Sequence, residues 1–427
     1  MGSLITAQRG TRDVLPPESL LWNKIEETAR KFFDRYHVRE IRTPIFEATE
    51  LFTRGIGEAT DIVSKEMYSF VDRGDRSLTL RPEGTAGVVR AYLQGKLAST
   101  LPSPVKLWYA GPMFRYERPQ AGRQRQFNQV GVEFLGTSDP KADAEVITLA
   151  LDIFAALSVP NLRVELNSLG CEACRPAYRE RLVAYFAERH ADYCTTCLDR
   201  SQTNPLRVLD CKTPSCKEIN REAPSLQDVL CADCRDHQGK LFGYLDAVGV
   251  KHQLNSRLVR GLDYYTRTVF EIVAEEKLGS QDTVCAGGRY DKLVEECGGP
   301  PTPAVGWAFG EERLAILLES KTPEDAVDLY VAAMGPDAEV ASFKLAHALR
   351  RAGDWHVEVG FGDRKLKKQL EMADKLGARW VAVIGDTELE AGEVQLKDLV
   401  ARTTRAVAMD AESLASALTA ALPESVS

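Results

Sequence analysis

"GPMFRYERPQAGRQRQFNQVGVEF" spans residues 111–134. Apolar positions at either end flank a charged centre built around Pro119, Gln120, Ala121 and Gly122. The pattern reads as strand, loop, strand. A hairpin of that kind sets Arg115, Gln129 and Glu133 on facing strands and carries Arg123 over the top. Neighbouring stretches keep the same rhythm: "SLTLRPEG" (77–84), "VKLWYAGPMFRYE" (105–117) and "FNQVGVEFLG" (127–136) alternate with polar turns. This is an antiparallel pattern and not a repeating βαβ one, so the expected class is α+β with an antiparallel sheet.

Upstream, helical spacing over residues 18–36 puts Leu21, Ile25, Ala29, Phe32 and Phe33 on one stripe. "VREIRTPIFEATELF" (38–52) reads as a strand ended by Pro44. A helix is expected from Gly84 to Leu93, and Glu83 and Thr85 suit either a site or a helix N-terminus device. Residues 141–156 predict a helix and "NLRVELNSLG" (161–170) a strand. A polar, helical, cysteine-rich block follows and reads as an insertion. Strand patterns resume after about residue 240, and the Gly-Gly pairs at 287–288 and 298–299 mark turns.

Composition shifts at "ESKTPEDAVD" (319–328), a linker. Beyond it "LYVAAMG", "WHVEVGF" and "WVAVIG" alternate with "DAEVASFKLAHALRRAG" and "DRKLKKQLEMADKLGA", and a further strand and helix close the chain. That alternation predicts a small α/β domain with a mostly parallel sheet. The expected division is a core of 1–166 and 240–320, an insertion of 167–239 and a C-terminal domain of 328–427.

The 427 residues suit two to four domains, and 44% hydrophobic with 27% charged suits an ordinary globular protein. No apolar run approaches the roughly 20 residues that span a bilayer. The N-terminal stretch lacks a signal-peptide core, and "MGSLI" makes no strong lipidation motif, so a cytoplasmic protein is expected. A net charge of -8 argues against coating DNA, while a local basic patch remains compatible with nucleic acid.

Four stretches suggest one site: "TLRPEGT" (79–85), the opening hairpin, "RLVRGLDYYTRTVFEI" (257–272) and "GWAFGEERL" (306–314). Any one of their arginines alone reads as an ordinary ion pair. Several converging from separate elements suit a polyphosphate, because guanidinium forms bidentate, permanently charged contacts with phosphate. No G-x-x-x-x-G-K-[ST] loop is present, so a P-loop site is excluded.

The "FRYE" strand with its charged loop resembles motif 2 of class II aminoacyl-tRNA synthetases. "GWAFGEERL" resembles their motif 3, and Pro44 after a strand that follows a long helix resembles motif 1, the dimer element. "RGLDYYTRTVFE" and "AGGRYDKL" resemble the two signatures of the histidyl-tRNA synthetase family, as do "RGTRDVLP" (9–16) and "LRPEGTAGVVRAY" (80–92). The resemblance runs through essentially the whole chain, with no departure at a position the family uses.

It implies activation of L-histidine by ATP and transfer to tRNA(His). Tyr264 and Tyr265 would line an imidazole slot. Glu133 would meet the ring or amino group, and Glu83, Thr85 and Gln129 the α-amino end. Arg260 and Arg115 would be catalytic at the α-phosphate and carboxylate. Arg123 and Arg313 would hold the β- and γ-phosphates, and Glu117 the adenine amino group. Gln120 and its loop would meet the tRNA acceptor end, and Mg²⁺ would bridge phosphates. The C-terminal domain would read the anticodon, with "RKLKKQ" (364–369) either a phosphate contact or a solvated helix face. A homodimer is implied, with neither membrane nor DNA as a partner.

Eight of ten cysteines fall between 171 and 234: Cys171, Cys174, Cys194, Cys197, Cys211, Cys216, Cys231 and Cys234. They suit two four-thiolate zinc sites or simply reduced, partly buried thiols. Cys285 and Cys297 read as packing residues. Two rival readings remain. A regulatory paralogue of ATP phosphoribosyltransferase would have degraded site signatures and no C-terminal domain. A zinc-dependent nucleic-acid-binding module would leave the arginines idle.

Overall fold

The computed structural model describes residues 4–57, 60–275, 282–323, 325–362 and 364–420. Residues 1–3 of the N-terminal stretch, Glu324 of the linker and Asp363 of the "DRKLKKQ" segment lie outside the described residues. The chain packs as two compact units, Met1–Thr322 and Pro323–Ser427.

Period-two alternation explains the first unit. Val130, Val132 and Phe134 enter one hydrophobic core, while Gln129, Gly131 and Glu133 between them face the other way. Val305, Trp307 and Phe309 join the first core, leaving the small residues Ala304, Gly306, Ala308 and Gly310 on the opposite face. The strands lie in the order Arg39–Glu40, Val105–Phe114, Gln126–Leu135, Ala304–Gly310, Thr283–Arg289, Thr266–Ala274, Leu162–Ser168 and His252–Leu254, an 8-stranded sheet.

Its central six strands are antiparallel, as the sequence predicts. Both edge pairings are parallel, which the sequence reading did not anticipate. The edge strands are two and three residues long, too short for a pairing pattern to register.

One face is covered by helices Glu18–Arg35, Pro140–Ala156, Ala232–Ala247 and Glu311–Leu318, whose Phe33, Ile147, Leu245 and Leu314 are fully buried. The other face carries helix Thr85–Gln94, with Val88, Val89 and Tyr92 packed onto Val105, Leu107 and Tyr109, and the site lies beside it. The expected strand 38–52 is instead strand Arg39–Glu40, strand Phe46–Ala48 and helix Thr49–Ile56. Pro44 ends the first piece, since it cannot donate to a ladder. Phe46–Ala48 pairs with Ser77–Leu80, which pairs with Tyr68–Val71, as a separate three-stranded sheet.

The cysteine-rich segment connects strand Leu162–Ser168 to helix Ala232–Ala247 and has its own core of Tyr178, Leu182, Phe186, Tyr193, Leu226 and Leu230. Among the described residues no helix is long and apolar enough to cross a membrane.

In the second unit Val357–Val359, Leu329–Ala333 and Trp380–Ile384 run parallel. Glu393–Asp398 and Thr403–Ala408 then add antiparallel strands, one more than expected. Gly392 ends the short helix Asp386–Ala391 with φ 67 and lets the chain turn back tightly.

Candidate active site

A cavity of about 650 Å³ opens beside helix Thr85–Gln94 on that face of the large sheet. That volume lies within the range typical of small-molecule sites. Glu83, Thr85, Arg115, Glu117, Arg123, Gln129, Glu133, Arg260, Tyr264, Tyr265 and Arg313 all line it. Of the predicted site residues only Gln120 does not. It sits at the hairpin tip, where its backbone N–H and C=O pair with those of Arg123, both at 3.0 Å.

The floor comes from strand Gln126–Leu135. Glu133 is buried and accepts from Thr85 Oγ1 at 2.7 Å and from the Tyr290 hydroxyl. Gly306 stands beside it in the next strand, where a Cβ would lie 1.9 Å from Glu133 Oε2. Only glycine leaves room for the carboxylate there. Burial pushes Glu133 up to about 8, with the nearby Glu83 adding to the effect and the Tyr290 and Thr85 hydrogen bonds opposing it. Gln129 shares this face, and its Oε1 is buried with no hydrogen-bond partner among the described residues.

Glu83 accepts from the backbone N–H groups of Thr85 and Ala86 at 2.7 and 2.8 Å. It therefore caps helix Thr85–Gln94, as a helix N-terminus device would, and it also lines the cavity. Burial raises its pKa as well.

The arginines come from four places. Arg115 follows strand Val105–Phe114, donates from Nε to the Pro82 carbonyl at 2.8 Å, and lies 5.3 Å from the Phe127 ring centre. Arg123, on the hairpin loop, is paired with Glu117. Arg313, in helix Glu311–Leu318, donates to the Thr283 carbonyl at 2.9 Å and approaches the Gly122 carbonyl at 3.4 Å, tying the hairpin loop to the sheet. Arg260, on the loop before strand Thr266–Ala274, is paired with Glu271, which also accepts from Thr283 Oγ1 at 2.7 Å. Burial pulls the Arg260 guanidinium down, but Glu271 and Tyr265 outweigh it and its pKa rises.

Tyr264 and Tyr265 are buried with ring centres 4.7 Å apart, and Tyr264 meets Tyr290 edge-on at 5.6 Å. Burial raises the pKa of both. They are neutral hydrogen-bonding groups at physiological pH.

The histidyl-tRNA synthetase family model matches residues 10–314. The chain belongs to this family. A second model, for an anticodon binding domain, matches residues 328–421. Relatives named histidine--tRNA ligase include one from Trichlorobacter lovleyi, 51% identical over 97% of this chain and 98% of its own length. Another, from Desulforamulus reducens, is 49% identical over 95% and 97%. The crystal structure of apo S. aureus histidyl-tRNA synthetase superposes with a TM-score of 0.81 at 36% identity, over 98% of this chain and 99% of that one.

Several lining residues carry no motif of their own in the sequence. Tyr109 reaches Glu133 from the partner strand of the hairpin and Tyr290 from a turn far away in sequence, and Glu271 neutralises Arg260. Glu271 and Tyr290 sat inside quoted signatures, as an acid in an apolar strand and a tyrosine after a Gly-Gly pair. Leu209, Asp210 and Lys212 of the cysteine-rich segment also line the cavity, with Cys211 between them, and no sequence signal placed this stretch there.

Arg289 of "AGGRYDKL" does not line the cavity. It is fully buried and donates from Nε to Asp143 Oδ2 at 2.8 Å and from Nη1 and Nη2 to the Thr137 and Asp139 carbonyls, each at 2.9 Å. It therefore anchors the turn that presents Tyr290.

Proposed function

We infer that the protein is a histidine–tRNA ligase: it forms histidyl-adenylate and pyrophosphate from L-histidine and ATP, then passes the histidyl group to the 3′ end of tRNA(His). The observation that carries the site assignment is the convergence of Arg115, Arg123, Arg260 and Arg313 on the cavity that also holds Glu133 and the tyrosine pair.

The histidine carboxylate attacks the α-phosphorus in line. One P–O bond forms and the bond to pyrophosphate breaks. The nucleophile is already anionic, so no general base is needed, and catalysis is positioning plus charge neutralisation. Arg115 and Arg260 serve the α-phosphate and carboxylate, while Arg123 and Arg313 hold the outer phosphates. Glu117 takes the adenine amino group, which requires it to leave its pairing with Arg123. Gln129 Oε1, buried with no partner among the described residues, suits a cationic donor, and with Glu83 and Thr85 it receives the α-amino group. Tyr264, Tyr265 and Glu133 surround the imidazole, which needs partners for one donor and one acceptor. An apolar isostere would leave those groups unpaired and is rejected.

The family implies use of ATP with Mg²⁺. Among the described residues no group of three or more carboxylates or histidines is arranged around a common ion position. Glu117 and Glu271 are each already paired with arginine. The residues present fit an ion held mainly by phosphate oxygens and water. Such an ion neutralises and orients the polyphosphate.

We assign 1–166 and 240–320 to catalysis, 167–239 to an insertion and 328–427 to anticodon reading. Gln120 and its loop receive the acceptor end. A homodimer in the cytoplasm completes the reading. Exposed Ile45, Phe46, Phe70 and Val71 around the three-stranded sheet support the first, and ten cysteines of which none forms a disulfide support the second.

ATP–pyrophosphate exchange with a panel of amino acids tests the first step. Exchange with histidine alone is expected. Histidine binding without exchange would overturn the reading in favour of a regulatory paralogue.

A further inference from the structure

The eight cysteines of the inserted segment form two separate quartets, Cys171–Cys174–Cys231–Cys234 and Cys194–Cys197–Cys211–Cys216. Within each, the sulfurs all lie within 4.8 Å of one another. The distances discriminate between chemistries. A disulfide brings sulfurs to about 2.05 Å. Four thiolates each about 2.3 Å from one tetrahedral zinc stand about 3.8 Å apart. Here Cys171 Sγ lies 3.7 Å from Cys174 Sγ and 3.8 Å from Cys231 Sγ, and Cys194 Sγ lies 3.9 Å from Cys211 Sγ. In a multinuclear iron–sulfur cluster the four cysteines are divided among two or four irons, and their sulfurs would not converge on one centre.

The surroundings suit thiolates. Cys174, Cys197, Cys216 and Cys234 are almost fully buried. The Cys231 N–H donates to Cys174 Sγ at 3.1 Å and the Cys194 N–H to Cys216 Sγ at 3.3 Å, contacts that stabilise negative sulfur. Each C-x-x-C pair leads into a helix: Arg175–Glu188, Thr195–Thr203 and Ala232–Ala247.

We propose that the inserted segment holds two structural zinc ions, each bound by one cysteine quartet. Each ion replaces four thiol protons, which pass to solvent, and forms four Zn–S bonds. All four positions are filled by protein, so neither ion is catalytic.

Their placement gives them different tasks. The first joins the chain just after strand Leu162–Ser168 to the start of the returning helix, and so closes the neck of the insertion. The second fixes Cys211, whose neighbours Leu209, Asp210 and Lys212 line the cavity. The same segment places Asn204 Nδ2 2.9 Å from Asp263 Oδ1 and Arg207 Nη1 2.9 Å from the Arg260 carbonyl. Loss of the second ion therefore loosens one wall of the site.

Metal analysis of the full chain, purified without chelator, tests this directly. Two zinc ions per chain are expected, with the quartet thiols unreactive to a thiol reagent until an organomercurial releases the metal. The double variants C171S/C174S and C194S/C197S should each retain one. Should these misfold, cobalt reconstitution of the unaltered chain should give the intense visible absorption of tetrahedral thiolate sites at two equivalents. A folded metal-free chain with reactive quartet thiols, iron in place of zinc, or one zinc per chain would each overturn the proposal. None of these readouts depends on aminoacylation.

Discussion

The Tyr290 hydroxyl donates to the Glu133 carboxylate across 157 positions of sequence, joining a turn to the floor strand. Glu133 also receives Thr85 and is pushed up to about 8, chiefly by burial. It is therefore largely protonated at neutral pH before substrate arrives. A ligand that brings hydrogen-bond donors or positive charge favours the ionised form. Histidine binding at pH 7.5 should release a proton from Glu133. Calorimetry in buffers of different ionisation enthalpy reads this, and E133Q should abolish the buffer dependence. An unaltered chain with no buffer dependence would contradict it.

The same group has a stability signature. Its folded pKa lies above its unfolded value of 4.5. Between the two, the folded state binds more protons, so stability from this group is full below about 4.5 and is lost as pH rises through about 8. E133Q removes that slope. Denaturant midpoints from pH 5 to 9 should fall less steeply in the variant, which gains on the wild type by roughly 1.4 kcal/mol or less per pH unit.

G306A attacks the same carboxylate by sterics. The added methyl would meet Glu133 Oε2 at 1.9 Å and the Val132 carbonyl at 2.3 Å. Overpacking of this kind costs about 1–3 kcal/mol. We expect a folded protein with histidine-dependent exchange reduced roughly 10- to 100-fold, mainly through KM for histidine, because the displaced carboxylate no longer fits the imidazole. Near wild-type exchange would show that the carboxylate can move without consequence.

Arg289 and Asp143 form a fully buried pair, with Nη2 2.6 Å from Oδ2, and His237 joins Asp143 at 3.2 Å. R289A strands a buried carboxylate and should cost about 3–5 kcal/mol in thermal or denaturant unfolding. R289M/D143L removes both charges and should recover most of it. Equal losses in the two would place the effect in packing and not in charge.

Much of this was legible in the sequence because it is local. Alternation along residues 105–136 set the hairpin and its two faces, and an arginine-rich loop between apolar arms marks a charged site on a scaffold. The arms pair as an antiparallel hairpin, as expected, and the register sets Glu133 opposite Leu107 and Gln129 opposite Gly111. What stayed hidden depends on tertiary placement. Glu271 looks like any strand acid until Arg260 meets it, and Arg289 sits in a signature that reads as a site yet serves the core. The parallel edges are pairings between segments too short to carry a period. The Leu209–Lys212 wall comes from an insertion whose own pattern says nothing about the cavity.

Arg260 and Glu271 allow charge to be separated from geometry at the reacting centre. Glu271 holds the guanidinium in place and keeps it protonated, so Arg260 carries positive charge at every working pH. R260A removes a phosphate donor and frees a buried carboxylate beside the polyphosphate. Exchange should fall at least ~1000-fold, toward the upper range for loss of one such donor. R260K keeps the charge but loses the planar fork, and should sit between the wild type and R260A. E271Q keeps a hydrogen-bond acceptor but removes the opposing charge. Its effect should appear mainly in kcat, because Arg260 is then less fixed in the transition state than in the ground state. Steady-state exchange kinetics on the three variants decide this. If E271Q changes KM alone, Glu271 shapes ATP binding and not the orientation of Arg260.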